Sequence, residues 1–358
     1  MEAEAAGGAA GIYPVDILED DPTGHQEASL AYYTSLGEGA GTPGIFTLPT
    51  GEQVNLETSS VCFCTVHRDK PQHKLLVLVS PQDTKTVVAV YLKESWWSTE
   101  DVLRTSDPTR EGLVKVQSFG ERIVLFILNV IIFGRLERSL DDDGMFFLPH
   151  SVKEQAKILW RNGAAVGFYS TKMKGSLCGN GTSVCYLLPV FDTVFVRKQH
   201  RHQGLGTAML QDFCETFPED EALGISSPIS PAMYQVCRHF LLACPEERGR
   251  LWEVAPPGAW GQRVNIWLKV QLQQARLPEC EWVSKQCPWV LLSLVSVTGT
   301  GEFPLIGSDP CRRYLCGGCD KNKGGNDTWM MAFTLFLHFL YEASTPFHHL
   351  TQKRSPPI

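Results

Sequence analysis

What this sequence does without narrows its function first. Basic residues are not in excess: 32 Lys and Arg against 39 Asp and Glu leave a formal net charge of −7. A surface that neutralises nucleic-acid phosphates needs the opposite balance, so no nucleic-acid partner is expected. Long apolar runs are missing too. Ile123 to Phe133, broken by Asn129, and Trp329 to Tyr341, broken by His338, stop short of the roughly 20 residues that a membrane-spanning helix needs. Met1 to Gly11 is small and acidic, with neither the basic start nor the apolar stretch of a signal peptide, and an intracellular chain is expected. No G-x-x-x-x-G-K-[ST] occurs, which excludes a nucleoside-triphosphate P-loop. The run Gly39-Ala40-Gly41-Thr42-Pro43-Gly44 follows a helix-like segment and puts a proline where a helix should begin, so it is no dinucleotide fingerprint. The 12 cysteines are scattered and lack a secretory context, so free thiols are expected. Cys62 and Cys64 would share one strand face in the core. Cys311, Cys316 and Cys319 lack the second C-x-x-C pair of a zinc site, even with Cys287 nearby, and no metal is expected. The sequons at Asn180 and Asn326 would go unused inside a cell.

What is present is enough for one large or two ordinary domains: 358 residues, 43% of them hydrophobic. The periodicity predicts a mixed α/β (α+β) chain in four parts. Residues 1–44 form an N-terminal segment and linker with a short helix over Gln26 to Leu36. Residues 45–150 form an α+β region, with strands at Val61 to Val66, Lys74 to Ser80 and Thr86 to Leu92. Trp96 and Trp97 follow as core or lid residues, then one or two helices over Thr109 to Arg138, broken near Gly120. Asp141 to Asp143 reads as a solvated loop. Residues 151–271 alternate strands and helices, and residues 272–358 read as an irregular tail whose C-terminal stretch keeps no period.

In the third part, Lys157 to Trp160 and Ala164 to Ser170 are strands around Asn162-Gly163, a strong hairpin signal. Ser183 to Leu188 leads through Pro189 into Val190 to Val196, which alternates and is rich in β-branched and aromatic residues. A basic junction follows, Arg197-Lys-Gln-His-Arg201-His-Gln-Gly204-Leu-Gly206, and then Leu205, Met209, Phe213 and Phe217 mark one stripe of a helix. Such a strand-to-helix turn leaves backbone N–H groups free at the positive end of the helix dipole, with no Cβ in the way, and so binds phosphate. A plain turn is the alternative reading. Ala222 to Ser226 is a further strand, and Ser230 with Pro231 starts a helix striped by Met233, Val236, Cys237, Phe240 and Leu241. Leu251 to Val254 and Val264 to Leu268 close the block as strands.

The hydrophobic strand, basic turn, Arg201-x-x-Gly204-x-Gly206 and helix resemble the acetyl-CoA pyrophosphate loop of GNAT-type N-acetyltransferases, and the order of elements in residues 151–271 is similar to theirs. A wider set of segments resembles the soluble lamin-associated protein family, the group called family with sequence similarity 169. These are Tyr13-Pro-Val-Asp-Ile-Leu-Glu19, Trp96-Trp97, Arg110-Glu-Gly-Leu113, Gly120-Glu-Arg122, Lys157-Ile-Leu-Trp160, Gly167-Phe-Tyr-Ser170, Leu188-Pro-Val-Phe-Asp-Thr193 and Leu251-Trp-Glu-Val254. The resemblance runs from about Tyr13 to Gln271 and places the chain as a shorter member.

These resemblances imply a GNAT-like mixed central sheet flanked by helices and an intracellular, nuclear or nuclear-periphery location. They imply acetyl-CoA as cofactor and an unidentified amine as acceptor. The alternative they allow is a non-catalytic scaffold that binds protein partners at the lamina. By the same resemblance, Val194, Phe195 and Val196 lie along the pantetheine. Gln203, Gly204, Leu205, Gly206 and Thr207 hold the pyrophosphate through their amides, with Arg201 or Arg197 adding charge. Asp192 is the nearest carboxylate for a base. Family members use a tyrosine of the later helix as the acid; here Val236 stands at that position and Tyr234 two residues earlier, about 200° around the helix.

Overall fold

The computed structural model describes residues 12–38, 44–83, 85–138, 147–179 and 183–275. The chain divides into two units, Met1–Gln271 and Leu272–Ile358, and every sheet among the described residues belongs to the first. Of the irregular tail expected over residues 272–358, residues 272–275 are helical instead; the remainder, its cysteine cluster, the glycine run before Gly44, the Asp141 to Asp143 loop and both sequons lie outside the described residues. The seven cysteines among the described residues are all free thiols.

Helix α1 (Pro14–Ile17) and helix α2 (Pro22–Gly37) come first. α2 starts four residues before the expected Gln26, because Asp21 accepts from the amides of Thr23 and Gly24 and Pro22 presets the first turn. A small hairpin, β1 (Gly44–Thr47) with β2 (Gln53–Leu56), was not expected. Four antiparallel strands then form a sheet: β3 (Val61–His67), β4 (Lys70–Val79), β5 (Val87–Leu92) and β6 (Ser95–Ser98). Trp96 and Trp97 sit half-buried on β6, their indole N–H groups donating to the Tyr32 hydroxyl and the Leu92 carbonyl. α3 (Thr99–Val102) follows.

The one or two helices expected over Thr109 to Arg138, broken near Gly120, are corrected at the front. Gly112–Lys115 is a strand, β7, antiparallel to β8 (Gln155–Arg161). Helix α4 (Phe119–Phe126) begins only where Ser118 and Glu121 close a capping box, and it continues through a π-helical stretch, Ile127–Leu136. β8 turns through Asn162-Gly163 into β9 (Ala164–Lys172), which pairs with β10 (Val190–Val196). Helix α5 (Leu205–Thr216), strand β11 (Leu223–Ser226), helix α6 (Pro231–Ala243), strand β12 (Leu251–Val254) and strand β13 (Arg263–Asn265) complete the large sheet. The last expected strand is corrected as well. β13 stops at Asn265, whose side chain accepts from the Leu268 amide and starts helix α7 (Ile266–Ala275) instead.

The large sheet is mixed, in the order β13-β12-β11-β10-β9-β8-β7, antiparallel except for the parallel pairs β10-β11 and β11-β12. Each face buries its own core. One packs α4 and its π-helical extension, together with the four-stranded sheet, onto Ile158, Trp160, Phe168 and Phe195. The other packs α5, α6 and α7 onto Leu159, Tyr169 and Phe191, with Phe213 at the centre of an aromatic cluster. Each fully buried side chain of this size contributes about 1.5–3 kcal/mol. Two cores on opposite faces clamp β9 and β10, so the strand that ends in the basic turn is held rigidly from both sides.

Candidate active site

Strand β10 is irregular in the place that matters. Phe191 pairs with Thr171 and Val194 with Tyr169, so Asp192 and Thr193 both stand opposite Ser170 alone. This is a bulge, and it turns both side chains into the same cavity. On its other edge β10 pairs with β11 only at Val190 and Phe191, and from Asp192 to Val196 that edge carries no strand partner. A parallel pair that parts at its C-terminal end opens a crevice, where open α/β sheets take ligands.

The turn beyond β10 closes one end of that crevice. Lys198–His200 make a single 3-10 turn, His202 and Gly204 take positive φ of 61° and 76°, and α5 starts at Leu205 without a side-chain cap. The amides from Gln203 to Thr207 meet no acceptor among the described residues, while the Ala208 amide is the first to bond back, to Gly204. Gly206 has a second reason to be glycine. A Cβ there would stand 3.1 Å from Val236 Cγ2, so its lack of a side chain lets α5 and α6 approach. Nothing lies within 4 Å of the corresponding point on Gly204, whose requirement is conformational.

The two arginines of the turn differ. Arg197 forks onto Glu100 at 2.8 and 2.6 Å, with Glu137 at 3.6 Å, and is committed to that pairing. Arg201 donates from Nε to the Val196 carbonyl at 2.8 Å and lies over the Phe195 ring. Gln203 accepts from Arg161. His200 is held below its ordinary value by burial and by the charges of Arg197 and Arg161. Phe195 points away from the crevice, buried and stacked on Phe133 at 4.6 Å, which leaves only its main chain at the crevice edge. Val194 and Val196 are half-buried toward the α5 face.

The cavity at the bulge holds about 220 Å³ and carries a chain of charges. Asp192 accepts from the Ser226 hydroxyl at 2.5 Å and meets Lys172 Nζ at 3.2 Å. Lys172 reaches on to Glu154 Oε2 at 2.7 Å. The other oxygen of Glu154 is buried with no hydrogen-bond partner; His150 Nε2, at 3.8 Å, is too far to donate. Burial pushes the Glu154 carboxyl up, but His150 and Lys172 outweigh it and hold it below its ordinary value. Burial holds the His150 imidazole below its own ordinary value, which keeps it neutral near pH 7. Arg68 stands exposed at the rim and makes no ion pair among the described residues.

Of the expected pair of catalytic residues, only Asp192 lines this cavity. Tyr234, on α6, packs with the core on the opposite face of the sheet, and its buried hydroxyl has no partner among the described residues. Burial raises that phenol. The sequence reading missed Glu154, Lys172, His150 and Arg68. The signal for Lys172 was a charge that continues an otherwise buried strand. Glu154 and His150 gave none, because each comes from irregular backbone that the long connection to β8 folds into place.

Fold and site together define an α+β protein with a mixed sheet, in which a parallel strand pair parts between an uncapped helix start and a charge-lined cavity. Over 277 residues the chain is 74% identical to mouse protein FAM169B, a match that covers 77% of this chain and 82% of that relative. Over 122 residues it is 83% identical to human protein FAM169BP, covering 34% of this chain and 64% of that one. The chain belongs to the FAM169 family. No family model and no solved structure matches it. Among the described residues no helix is long and apolar enough to cross a membrane.

Proposed function

We propose that the chain binds acetyl-CoA and transfers its acetyl group to an amine. The observation that carries this reading is the conjunction at the end of β10: strands that part after Phe191, beside a basic turn whose amides from Gln203 to Thr207 have no acceptor among the described residues. A diphosphate suits such a turn, because its several oxygens can occupy several converging N–H groups while the helix dipole favours its charge. With the diphosphate there, the pantetheine runs back along the free edge of β10 and brings the thioester to the bulge. The amine nitrogen, once neutral, attacks the thioester carbonyl. The C–N bond forms, the C–S bond breaks, the thiolate leaves and takes up a proton, and the nitrogen gives up its own. Asp192, at the bulge, is the nearest carboxylate to receive that proton through water, whereas Tyr234, buried on the opposite face, is not placed to give one to the thiolate.

A second reading, an acyl-CoA-binding module without turnover, is favoured by one observation. Both oxygens of Asp192 are already engaged, by Ser226 and Lys172. Calorimetry with acetyl-CoA on the full chain tests what the two readings share. Heat is expected for the unaltered chain and none for Thr207→Glu, which places a carboxylate in the first turn of α5, where it suits the helix and repels a diphosphate. No heat from the unaltered chain at millimolar acetyl-CoA ends both readings. Release of free thiol across a panel of amines then separates them.

A further inference from the structure

Strand β3 carries two thiols that the crevice and its cavity do not use. Its side chains alternate: Val61 and Phe63 pack with Leu76 and Leu78, whereas Cys62 and Cys64 turn to the core beside α4, opposite Val77 and Leu75 of β4. The expected core position holds only in part. Both are free and half-buried, at the margin of that core, because β3 is the outermost strand of its sheet. The sulfurs are within reach of one another: a hydrogen bond from the Cys64 thiol holds Cys62 below its ordinary value against burial. Residues two apart on a strand stand about 6.4–6.8 Å from each other, whereas a disulfide needs Cβ atoms about 3.5–4.5 Å apart, so a direct S–S bond would bend the strand. One atom between the sulfurs suits the spacing better. Soft thiolates select Cu(I), zinc and iron–sulfur clusters. Structural zinc and the clusters take four protein ligands, and among the described residues no three His, Cys, Asp or Glu side chains are grouped to hold a metal. Cu(I) is satisfied by two thiolates in line.

We propose that Cys62 and Cys64 hold one Cu(I) ion between their sulfurs. Two thiols and Cu⁺ give a bis-thiolate complex of charge −1 and two protons, with no change of oxidation state. Leu75, Val77 and Val66, on the same face, bring no competing donor and keep water from one side of the ion. That disfavours oxidation to Cu(II), which is better served by nitrogen and oxygen ligands. The site does not depend on the acetyl-transfer reading.

The test uses the full chain without acetyl-CoA. It is titrated under nitrogen with Cu(I) buffered by bicinchoninate, alkylated with iodoacetamide, and read cysteine by cysteine by mass spectrometry. Both thiols are expected to alkylate without copper and to become protected together, at one free Cu(I) concentration. In Cys62→Ser the protection of Cys64 should need at least about 10²-fold more free copper, and the converse should hold in Cys64→Ser, because the second thiolate of a chelate acts at a high effective concentration. Cys178→Ser, at a half-buried thiol elsewhere, should change neither. Absence of protection overturns the proposal, and so does protection of the two thiols at different copper concentrations; the unaltered chain gives both readings even where a variant fails to fold. Protection of Cys64 indifferent to Cys62→Ser overturns it too, as do two thiols closed to iodoacetamide without copper. None of these outcomes bears on acetyl-CoA binding, which is measured separately.

Discussion

Replacing Lys172 by methionine keeps the length of the side chain and removes the charge that links Glu154 to Asp192. Its Nζ stands 2.7 Å from Glu154 Oε2 and 3.2 Å from Asp192 Oδ2, and the three side chains are 16%, 5% and 22% exposed. Breaking a pair so enclosed leaves an uncompensated anion indoors, at a cost of about 3–5 kcal/mol. For a domain of this size that lowers the melting temperature by about 10 °C.

The pH dependence is the sharper part of this prediction. In the unaltered chain the Glu154 carboxyl lies below its ordinary value, so its contribution is complete above that value and is lost as pH falls through the depressed one. Without Lys172, burial is opposed by His150 and Arg68 alone and the carboxyl moves up. A raised acid destabilises the fold as it ionises, so the deficit of Lys172→Met should be small near pH 4 and grow toward pH 7. Urea unfolding followed by tryptophan fluorescence at intervals across that range reads the deficit directly. A deficit of the same size at every pH would refute the reasoning, because it would trace to lost packing and not to a stranded charge.

Phe213→Ala should cost about 3–5 kcal/mol, since the ring is fully buried with the rings of Phe191 and Phe217 at 5.2 and 5.3 Å; Leu242→Ala, 47% exposed, should stay within about 0.5 kcal/mol in the same urea experiment. Gly204→Ala should cost about 1 kcal/mol because φ there is +76°, whereas Gly204→Asn, which tolerates that conformation, should recover most of the loss in denaturant midpoints.

Local chemistry announced most of the third part of the chain. Asn162-Gly163 joined β8 to β9 as its turn preference requires, Ser230-Pro231 started α6, and the fourfold spacing of Leu205, Met209 and Phe213 turned one helix face to the sheet. These signals lie within a few residues of what they control, so they survive without tertiary context. Where two local signals competed, the reading slipped. The apolar stretch after Val264 could continue as strand or start a helix, and the Asn265 side chain decided for the helix. Gly112–Lys115 is too short to show a period and became a strand only because β8 offered it an edge.

Composition, spacing and the basic Arg201-x-x-Gly204-x-Gly206 turn by themselves determined the class of fold, the order of elements from β8 to β12 and the position of a helix start with unclaimed amides. Tertiary structure alone decided the rest. It bent β10 at Asp192, parted it from β11, committed Arg197 to Glu100, sent Tyr234 to the other face, and brought Lys172, Glu154 and Arg68 to one cavity from distant stretches. The reason is physical: a turn or a cap is governed by neighbours along the chain, whereas a bulge or a buried ion pair depends on partners that only the folded sheet brings within reach.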